Sequence, residues 1–186
     1  DDGKTRGEYS PIFFDPGVWK ADEAEQGTFW LSDTPEKAGS MTWGNRVTRI
    51  CSGVRLTGKD DKSLYVYNTH WDHQSQPSRE KAAELILKRM ARRKHADEPV
   101  ILMGDFNATT TNPAIKALLK SGELIDHGGE NQKQTFNLWK KGLNDGLRID
   151  HVFTSPSIKK GTVEVPAAGE PVDSDHNPVI LTIPGI

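Results

Sequence analysis

Short apolar runs that end in residues able to bind metal or move protons recur along this sequence, and they constrain its fold more than any other feature. Residues 100–108 read VILMGDFNA, in which an apolar run precedes Gly104, Asp105 and Asn107. A continuous apolar run bounded by turn residues predicts a strand that is covered on both faces. Taken alone, the stretch fits a polar turn as well as a catalytic site, because Asp and Asn are common turn residues.

Three further clusters have the same design. His70 ends a strand-like run, Asp150 lies inside the strand-like stretch RIDHVF, and Asp175 with His176 precedes the last predicted strand in SDHNPV. Each has a structural alternative: a structural histidine at a strand end, an ion pair between Asp150 and Arg148, and a turn before a proline. Sites in layered sheets gather at strand ends, where loops converge, so the four clusters together favour one site.

The order of strand-like runs and helix signals along the chain predicts an α/β or α+β layered domain of many strands with two inserted helices. Strands are predicted at residues 11–14, 27–31, 47–56, 64–69, 100–103, 148–154, 162–165 and 178–183. The two helices fall between strands that can pair in one sheet. We therefore expect mixed sheets that are covered by helices.

Both helices have recognisable sequence signals. The first is predicted to begin at an N-cap, Ser78, and to bury a stripe with helical spacing formed by Ala83, Ile86, Leu87 and Met90. The second has Asn112 as N-cap, Pro113 in its first position and Gly122 just past its end. The basic residues at 88–94 fit a solvated face, with a surface for a polyanion as the alternative.

Composition limits the classes of function. The 186 residues fit one domain, predicted to span 1–186, and the formal net charge of -2 provides no general attraction to nucleic acid, although a local basic surface can suffice. Cys51 is the only cysteine, so an internal disulfide is excluded and a buried thiol is expected. No apolar run approaches the roughly 20 residues of a membrane-spanning helix. No signal-peptide pattern is present, and a soluble protein is expected, with a secreted or periplasmic location left open.

The stretches NTHWDH, GDFNA, RIDHVF and SDHNPV, in that order, resemble the endonuclease/exonuclease/phosphatase superfamily. The resemblance spans essentially the whole chain, and GDFN followed by a terminal SDH is more specific than either motif alone. GTFWLS and THWDHQS are similar to a bacterial branch of that superfamily. The resemblance implies a four-layer α/β sandwich, in which two mixed sheets pack face to face with helices outside.

The resemblance also implies hydrolysis of a phosphoester by in-line attack of water, assisted by Mg²⁺ or Mn²⁺. The substrate would be a nucleic acid, a small phosphoester or a lipid headgroup. Asp105 would orient or deprotonate the water, and Asn107 would hold a phosphate oxygen and fix Asp105. Asp175 would be a metal ligand, since hard cations prefer carboxylate oxygen. His70 and His176 would donate hydrogen bonds to the phosphoryl oxygens, where negative charge develops.

Three more residues receive implied supporting roles. Asp150 would accept a hydrogen bond from His176, and Glu8, in GEYSPIFF, would do the same for His70. Arg46, in GNRVTR, matches an arginine that contacts phosphate. The other histidines lie in stretches that read as loop or helix surface and are assigned no role: His73, His95 and His127.

The beginning of the sequence departs from the family pattern. Family members begin with a strand that carries an Asn, followed by a helix and a strand ending in Gln-Glu, whose Glu is the main metal ligand. Residues 1–7, DDGKTRG, match neither strand, so we expect a domain without its first quarter, as a fragment or with that part on another chain. Two alternatives to a nuclease or phosphatase stay open. One is a non-catalytic binding module; the other is a sphingomyelinase-like phosphodiesterase, with membrane-contact candidates Trp19, Trp30 and Trp43.

Overall fold

The computed structural model of the chain describes residues 1–59, 62–129, 133–141, 146–167 and 169–185. Within these residues the chain forms eight strands and two helices. In order they are β1 (Lys20–Trp30), β2 (Ile50–Thr57), β3 (Ser63–His70), α1 (Gln76–Ala91), β4 (Val100–Asp105), α2 (Pro113–Lys120), β5 (Ile125–Asp126), β6 (Asp150–Thr154), β7 (Thr162–Glu164) and β8 (Ile180–Thr182).

Six of these strands form one mixed sheet in the order β1-β2-β3-β4-β6-β5. Neighbours in the sheet are antiparallel except β3 and β4, which are parallel and are connected through α1. β7 and β8 form a separate antiparallel pair. The predicted class, a mixed α/β fold with two sheets, is confirmed, and the second sheet of the described residues is small.

The two helices cover one face of the six-stranded sheet. Tyr67 of β3, Leu102 of β4 and Phe153 of β6 point to this side, because side chains alternate between the two faces of a strand. They pack against Ile86 of α1 and Leu118 of α2, and burial of each such side chain contributes about 1.5–3 kcal/mol. Cys51 lies in the same core as a free thiol, and burial raises its pKa, as expected of an inert cysteine.

A second apolar cluster lies on the opposite face of the sheet. We call it the floor cluster, and its buried members are Val54, Leu56, Leu64 and Val66. Ile12, Trp19, Ile101 and Met103 pack against it. Because His70 and Asp105 have the same parity along β3 and β4 as Val66 and Met103, both stand on the face of the floor cluster.

The prediction of a strand at residues 11–14 is wrong. These residues form no strand, although Ile12 packs against the floor cluster and the carbonyl of Pro11 accepts a hydrogen bond from Asn68 Nδ2 at 2.8 Å. Pro11 has no N–H to donate to a neighbouring strand, and Phe13 is 90% exposed. The apolar run is therefore an irregular segment that one side chain attaches to the sheet.

The other predicted strands are present, with shifted ends. A strand is predicted at 27–31, whereas β1 begins at Lys20, because Lys20 and Ala21 also pair with β2 across an irregularity in the register. β2 begins three residues later than predicted and β6 two residues later. The predictions at 64–69 and 100–103 agree closely with β3 and β4.

Helix α1 begins earlier than predicted. Ser75, not Ser78, is the N-cap, and its side chain accepts a hydrogen bond from the backbone N–H of Ser78. Pro77 occupies the first turn, where its missing N–H costs nothing. The second helix agrees with prediction: the Asn112 side chain accepts from the backbone N–H of the residue at 114, and Gly122 follows the helix with a φ of 77°.

The basic half of α1 contacts the protein itself. Arg89 forms an ion pair with Glu36 and lies 5.0 Å from the ring centre of Phe29. Arg93 Nη1 donates to the carbonyl of Met90 at 2.7 Å. Lys88, Arg92 and Lys94 are exposed, as a solvated face requires, whereas Arg89 and Arg93 are partly buried by these contacts. Across the described residues, neither helix has the length and apolar character that crossing a membrane requires.

Candidate active site

The register of three neighbouring strands places three of the predicted site residues side by side. His70, the last residue of β3, pairs with Asp105, the last residue of β4, and Asp105 pairs with Asp150, the first residue of β6. Paired residues point to the same face, and neighbouring strands lie about 4.8 Å apart. We call His70, Asp105 and Asp150 the polar row. It lies at one end of the sheet, on the face of the floor cluster.

Gly104 allows β4 to approach β3 immediately before the polar row. Its φ is 142°, and a Cβ atom at this position would lie 1.9 Å from the carbonyl oxygen of Thr69. Glycine is therefore required here by its missing side chain as well as by its backbone conformation. The glycine between the apolar run and Asp105 is what permits the contact with the strand that carries His70.

Asn107 fixes the carboxylate of Asp105. Its backbone N–H donates to Asp105 Oδ1 at 2.8 Å, and its Nδ2 donates to the carbonyl of Trp71 at 2.9 Å. Asn107 has a φ of 47°, in the left-handed region that Asn tolerates better than most residues. Burial raises the pKa of Asp105, but the hydrogen bond and charge of His70 and the N–H of Asn107 outweigh burial and lower the pKa. The carboxylate is therefore ionised at neutral pH.

His70 is held from two sides. Its Nε2 lies 3.1 Å from Asp105 Oδ2, and its Nδ1 lies 3.3 Å from Glu8 Oε2, so the predicted proximity of Glu8 and His70 is observed. Arg49 Nη1 donates to the same His70 Nδ1 at 2.9 Å and also forms an ion pair with Glu8. Arg49 Nη2 donates to His73 Nδ1 at 3.3 Å. A buried guanidinium thus connects the two histidines of the THWDH stretch.

His176 contacts Asp150, as predicted. Its Nδ1 donates to Asp150 Oδ2 at 2.7 Å, and this hydrogen bond raises the pKa of His176 despite partial burial. The alternative in which Arg148 pairs with Asp150 is wrong, because Arg148 Nη2 lies 2.9 Å from Asp126 Oδ1. Asp150 is therefore available to orient the imidazole of His176.

Asn137 holds the turn that carries His176. Its backbone N–H donates to the carbonyl of Asp175 at 2.7 Å, and its Nδ2 donates to the carbonyl of Ser174 at 3.2 Å and to Asn177 Oδ1 at 3.0 Å. Asn137 is buried, so these hydrogen bonds are protected from water. They fix the loop on both sides of the imidazole.

Asp105, Asp150 and His176 form a group that could hold a metal ion. One potential ligand atom of each lies within 4.8 Å of the others. Two carboxylates suit a hard cation such as Mg²⁺ or Mn²⁺. Among the described residues no glutamate joins this group, and Asp175, the predicted ligand, is not part of it either. Asp175 lies nearby, since its charge contributes to the raised pKa of His176.

The arginine that contacts the polar row is not the one that sequence predicted to bind phosphate. Arg46 is exposed and makes no ion pair with the part of the chain that the structure describes, whereas Arg49 is buried against Glu8 and His70. Sequence reasoning missed both Arg49 and His73. Arg49 lies 41 positions from Glu8 and 21 from His70, so no local pattern reveals these contacts. The spacing of His73 three residues after His70 was the only available signal.

Comparisons of the sequence and of the structure with known proteins indicate one family. The sequence profile described as the Endonuclease/Exonuclease/phosphatase family matches residues 10–176. The structure of an endonuclease/exonuclease/phosphatase from Bacteroides vulgatus is 28% identical to the chain with a TM-score of 0.87, and the match covers 98% of this chain and 73% of that one. A comparison with curated protein sequences gives no match.

Two structures from Bacteroides thetaiotaomicron are each 32% identical to the chain. One is an endonuclease/exonuclease/phosphatase family protein with a TM-score of 0.82, and the match covers 96% of this chain and 70% of that one. The other is a mannosyl-6-phosphatase with a TM-score of 0.81, and the match covers 98% of this chain and 74% of that one. The family profile, the fold and the polar row agree, and the chain belongs to the endonuclease/exonuclease/phosphatase family.

Proposed function

We propose that the chain is a phosphoester hydrolase that works by in-line attack of water with the help of Mg²⁺ or Mn²⁺. One observation carries the proposal: the polar row, with His176 hydrogen-bonded to Asp150, brings two carboxylates and two imidazoles together at one end of the sheet. Phosphoryl transfer depends on positioning and on stabilisation of charge more than on covalent chemistry. Membership of the family and similarity to a mannosyl-6-phosphatase support this function.

Asp105 is proposed to orient the attacking water and to take up its proton. Because its pKa is lowered, the carboxylate is ionised at neutral pH and accepts a hydrogen bond from water. Its two oxygens already contact Asn107 and His70, so the carboxylate is oriented before substrate arrives. The carboxamide of Asn107 is proposed to contact a phosphate oxygen as well. As the oxygen of water forms a bond to phosphorus, its proton passes to Asp105 and the bond to the leaving oxygen breaks; the leaving oxygen takes up a proton from solvent to become an alcohol.

His70 and His176 are proposed to stabilise the negative charge that develops on the phosphoryl oxygens. Hydrogen-bond donors that are fixed before the reaction contribute more to the rate than donors that must reorient. Asp150 raises the pKa of His176 and so keeps its positive charge to a higher pH. Glu8 and Arg49 hold His70 from the side that faces away from Asp105.

Asp105 and Asp150 would hold the metal ion, and Asp175 is proposed as a further ligand because of the family resemblance. The carboxylate donors of the group formed by Asp105, Asp150 and His176 fit Mg²⁺ or Mn²⁺. A bound cation supplies positive charge next to the phosphoryl oxygens. The residues of the polar row provide the orientation of water and the transfer of its proton.

The substrate is proposed to be a phosphomonoester, and hydrolysis of nucleic acid is the second candidate activity. The structure of a mannosyl-6-phosphatase, 32% identical over 98% of this chain, supports the first. The proposed membrane-contact role of tryptophans finds no support: Trp43 is 8% exposed, Trp19 packs against the floor cluster, and Trp30 Nε1 donates to the carbonyl of Asp1. A phosphomonoesterase is therefore the function to test first.

The test measures hydrolysis of p-nitrophenyl phosphate, bis(p-nitrophenyl) phosphate and a single-stranded oligonucleotide in the presence of Mg²⁺ or Mn²⁺. Asp105→Asn and His176→Gln are each expected to lower kcat/KM by at least about 100-fold, as removal of a fixed polar group does. Asp97→Asn and His95→Gln make the same chemical changes away from the polar row and are expected to stay within about twofold of the original protein.

Each outcome separates the candidates. Hydrolysis of the monoester alone supports a phosphatase, hydrolysis of the oligonucleotide supports a nuclease, and sphingomyelin hydrolysis in vesicles supports the sphingomyelinase-like alternative. A chain that binds inorganic phosphate but hydrolyses none of these substrates is a binding module. If Asp105→Asn and His176→Gln match their controls, the polar row is not the site of reaction.

A further inference from the structure

A buried histidine lies directly behind the polar row. His151 follows Asp150 in β6 and points to the opposite, helix-covered face, because successive side chains of a strand alternate between faces. Its imidazole is 1% exposed, stacks on the ring of Phe153 with 5.2 Å between the centres, and meets the ring of Phe106 edge-on at 5.6 Å. His151 is therefore out of reach of a substrate, and any effect on the reaction must pass through its neighbours.

The imidazole of His151 makes one polar contact with the part of the chain that the structure describes. Its Nε2 donates to the backbone carbonyl of Ala108 at 2.8 Å, and Nε2 carries the proton because a carbonyl oxygen only accepts. Within the described residues Nδ1 is buried without a hydrogen-bond partner. Ala108 is buried as well, so water does not compete for this bond.

The carbonyl that accepts this bond directly follows the strained residue of the site. Asn107 has a φ of 47°, and a non-glycine residue keeps such a conformation only where its surroundings hold it. In this conformation the backbone N–H of Asn107 donates to Asp105 Oδ1 at 2.8 Å. A bond that fixes the next carbonyl therefore acts on the residue that orients the carboxylate.

The turn formed by residues 105–108 is held by both neighbouring strands. On the side of β3, Asn107 Nδ2 donates to the carbonyl of Trp71 at 2.9 Å. On the side of β6, the hydrogen bond runs from His151 to Ala108. Because His151 contributes this bond through its side chain, a substitution can remove it and leave the backbone chemistry of the turn unchanged.

We propose that His151 is a positioning residue for the reaction. Its hydrogen bond to Ala108 holds the turn in the conformation in which Asn107 orients Asp105. The inference rests on the proposed function, in which Asp105 directs the attacking water. Without this bond, Asn107 is free to leave the left-handed region, and its N–H then moves away from the carboxylate. A displacement of reacting groups by about 1 Å can lower the rate by about 100-fold.

The experiment removes the N–H of His151 and keeps an aromatic ring, in His151→Phe. His127→Phe is the matched control, because His127 Nε2 lies 2.7 Å from Oγ1 of Thr154, at the end of β6 away from Asp150. His151→Phe is expected to lower kcat for p-nitrophenyl phosphate at least about 10-fold and to leave KM within about twofold, since the lost orientation acts on the reacting group. His127→Phe is expected to leave both constants within about twofold.

A second pair of variants separates the hydrogen bond from the packing. The side chains in His151→Gln and His151→Met are similar in size, and only Gln has an N–H that can donate to Ala108. His151→Gln is expected to keep kcat within about threefold of the original protein, whereas His151→Met is expected to match His151→Phe. Equal kcat values for the Gln and Met variants would refute the role of the hydrogen bond. This pair also decides the question if His151→Phe does not fold.

Hydrogen exchange of the Asn107 backbone amide, followed by NMR, tests the positioning without catalysis. The bond to Asp105 protects this amide, which is expected to exchange at least about 10-fold faster in His151→Phe and His151→Met and to keep its rate in His127→Phe. Unchanged exchange in the two His151 variants, or an effect on KM in place of kcat, refutes the inference while the proposed function stands. If the original protein hydrolyses no phosphoester, the proposed function fails, and the exchange rate still decides whether His151 holds the turn.

Discussion

Replacing Gly104 with alanine is expected to push β3 and β4 apart where His70 faces Asp105. The added Cβ would lie 1.9 Å from the carbonyl oxygen and 2.9 Å from the carbonyl carbon of Thr69. Both are backbone atoms, so rotation of a side chain cannot relieve the contact. A carbon and a carbonyl oxygen need about 3.3 Å, and the strands must therefore separate by more than about 1 Å.

Two costs add in this variant. A non-glycine residue in a sparsely populated backbone region costs about 1–3 kcal/mol, and each hydrogen bond lost between the strands costs about 0.5–1.5 kcal/mol net. We expect a loss of at least about 3 kcal/mol in the free energy of unfolding. Gly122→Ala is the matched control, because Gly122 has a φ of 77° with no atom within 4 Å of an added Cβ. It is expected to cost only about 1–2 kcal/mol.

Urea unfolding followed by tryptophan fluorescence measures both values, and hydrolysis is measured on protein that is still folded. Gly104→Ala is expected to lose at least about 10-fold in kcat, because displacement of reacting groups by 1 Å has effects of this size or larger. Equal destabilisation by the two substitutions would refute the close approach of β3 and β4. Full activity in folded Gly104→Ala would refute the link between strand spacing and the polar row.

Three further predictions concern other groups. Burial lowers the pKa of His151 to about 4, so the free energy of unfolding is highest above pH 6.5 and falls by up to about 3 kcal/mol as the pH drops towards 4. In urea unfolding between pH 7 and 5, His151→Phe should lack this decrease, and an unchanged decrease would contradict the prediction. Arg49→Met is expected to lower kcat by about 10-fold or more and to lower the melting temperature, because Glu8 and His70 lose their common partner. Arg46→Met is expected to raise only KM. Equal effects of the two substitutions would contradict the supporting role given to Arg49. Hydrolysis is expected to stop in excess chelator and to return with Mg²⁺ or Mn²⁺, and activity that persists in chelator would exclude a required metal.

Local sequence signals predicted the parts of the fold that neighbouring residues determine. Asn112, Pro113 and Gly122 act within one helix, and the helix has the ends that they predict. Ser75 was missed as the N-cap of α1, although Pro77 in the first turn was a usable signal. The apolar residues at 11–14 were misread as a strand, because periodicity does not show whether a segment finds a partner in a sheet.

The candidate site was predictable only where a motif and a strand end coincide. His70, Asp105, Asp150 and His176 each follow or begin a strand-like run, and the structure brings them together. Arg49 was missed because its contacts with Glu8 and His70 depend on how distant segments meet in the fold. The roles of Asp175 and Arg46 stay predictions, since they rest on the family resemblance.

The polar row has a consequence for how a protein of this kind can acquire new substrates. Its lateral spacing equals the distance between hydrogen-bonded strands, about 4.8 Å in any sheet, and does not depend on the loops. Loop residues other than Glu8, which contacts His70, can therefore change during evolution without altering the spacing of the polar row. For protein engineering, loops can be randomised to alter substrate preference while β3, β4, β6 and Glu8 are kept unchanged.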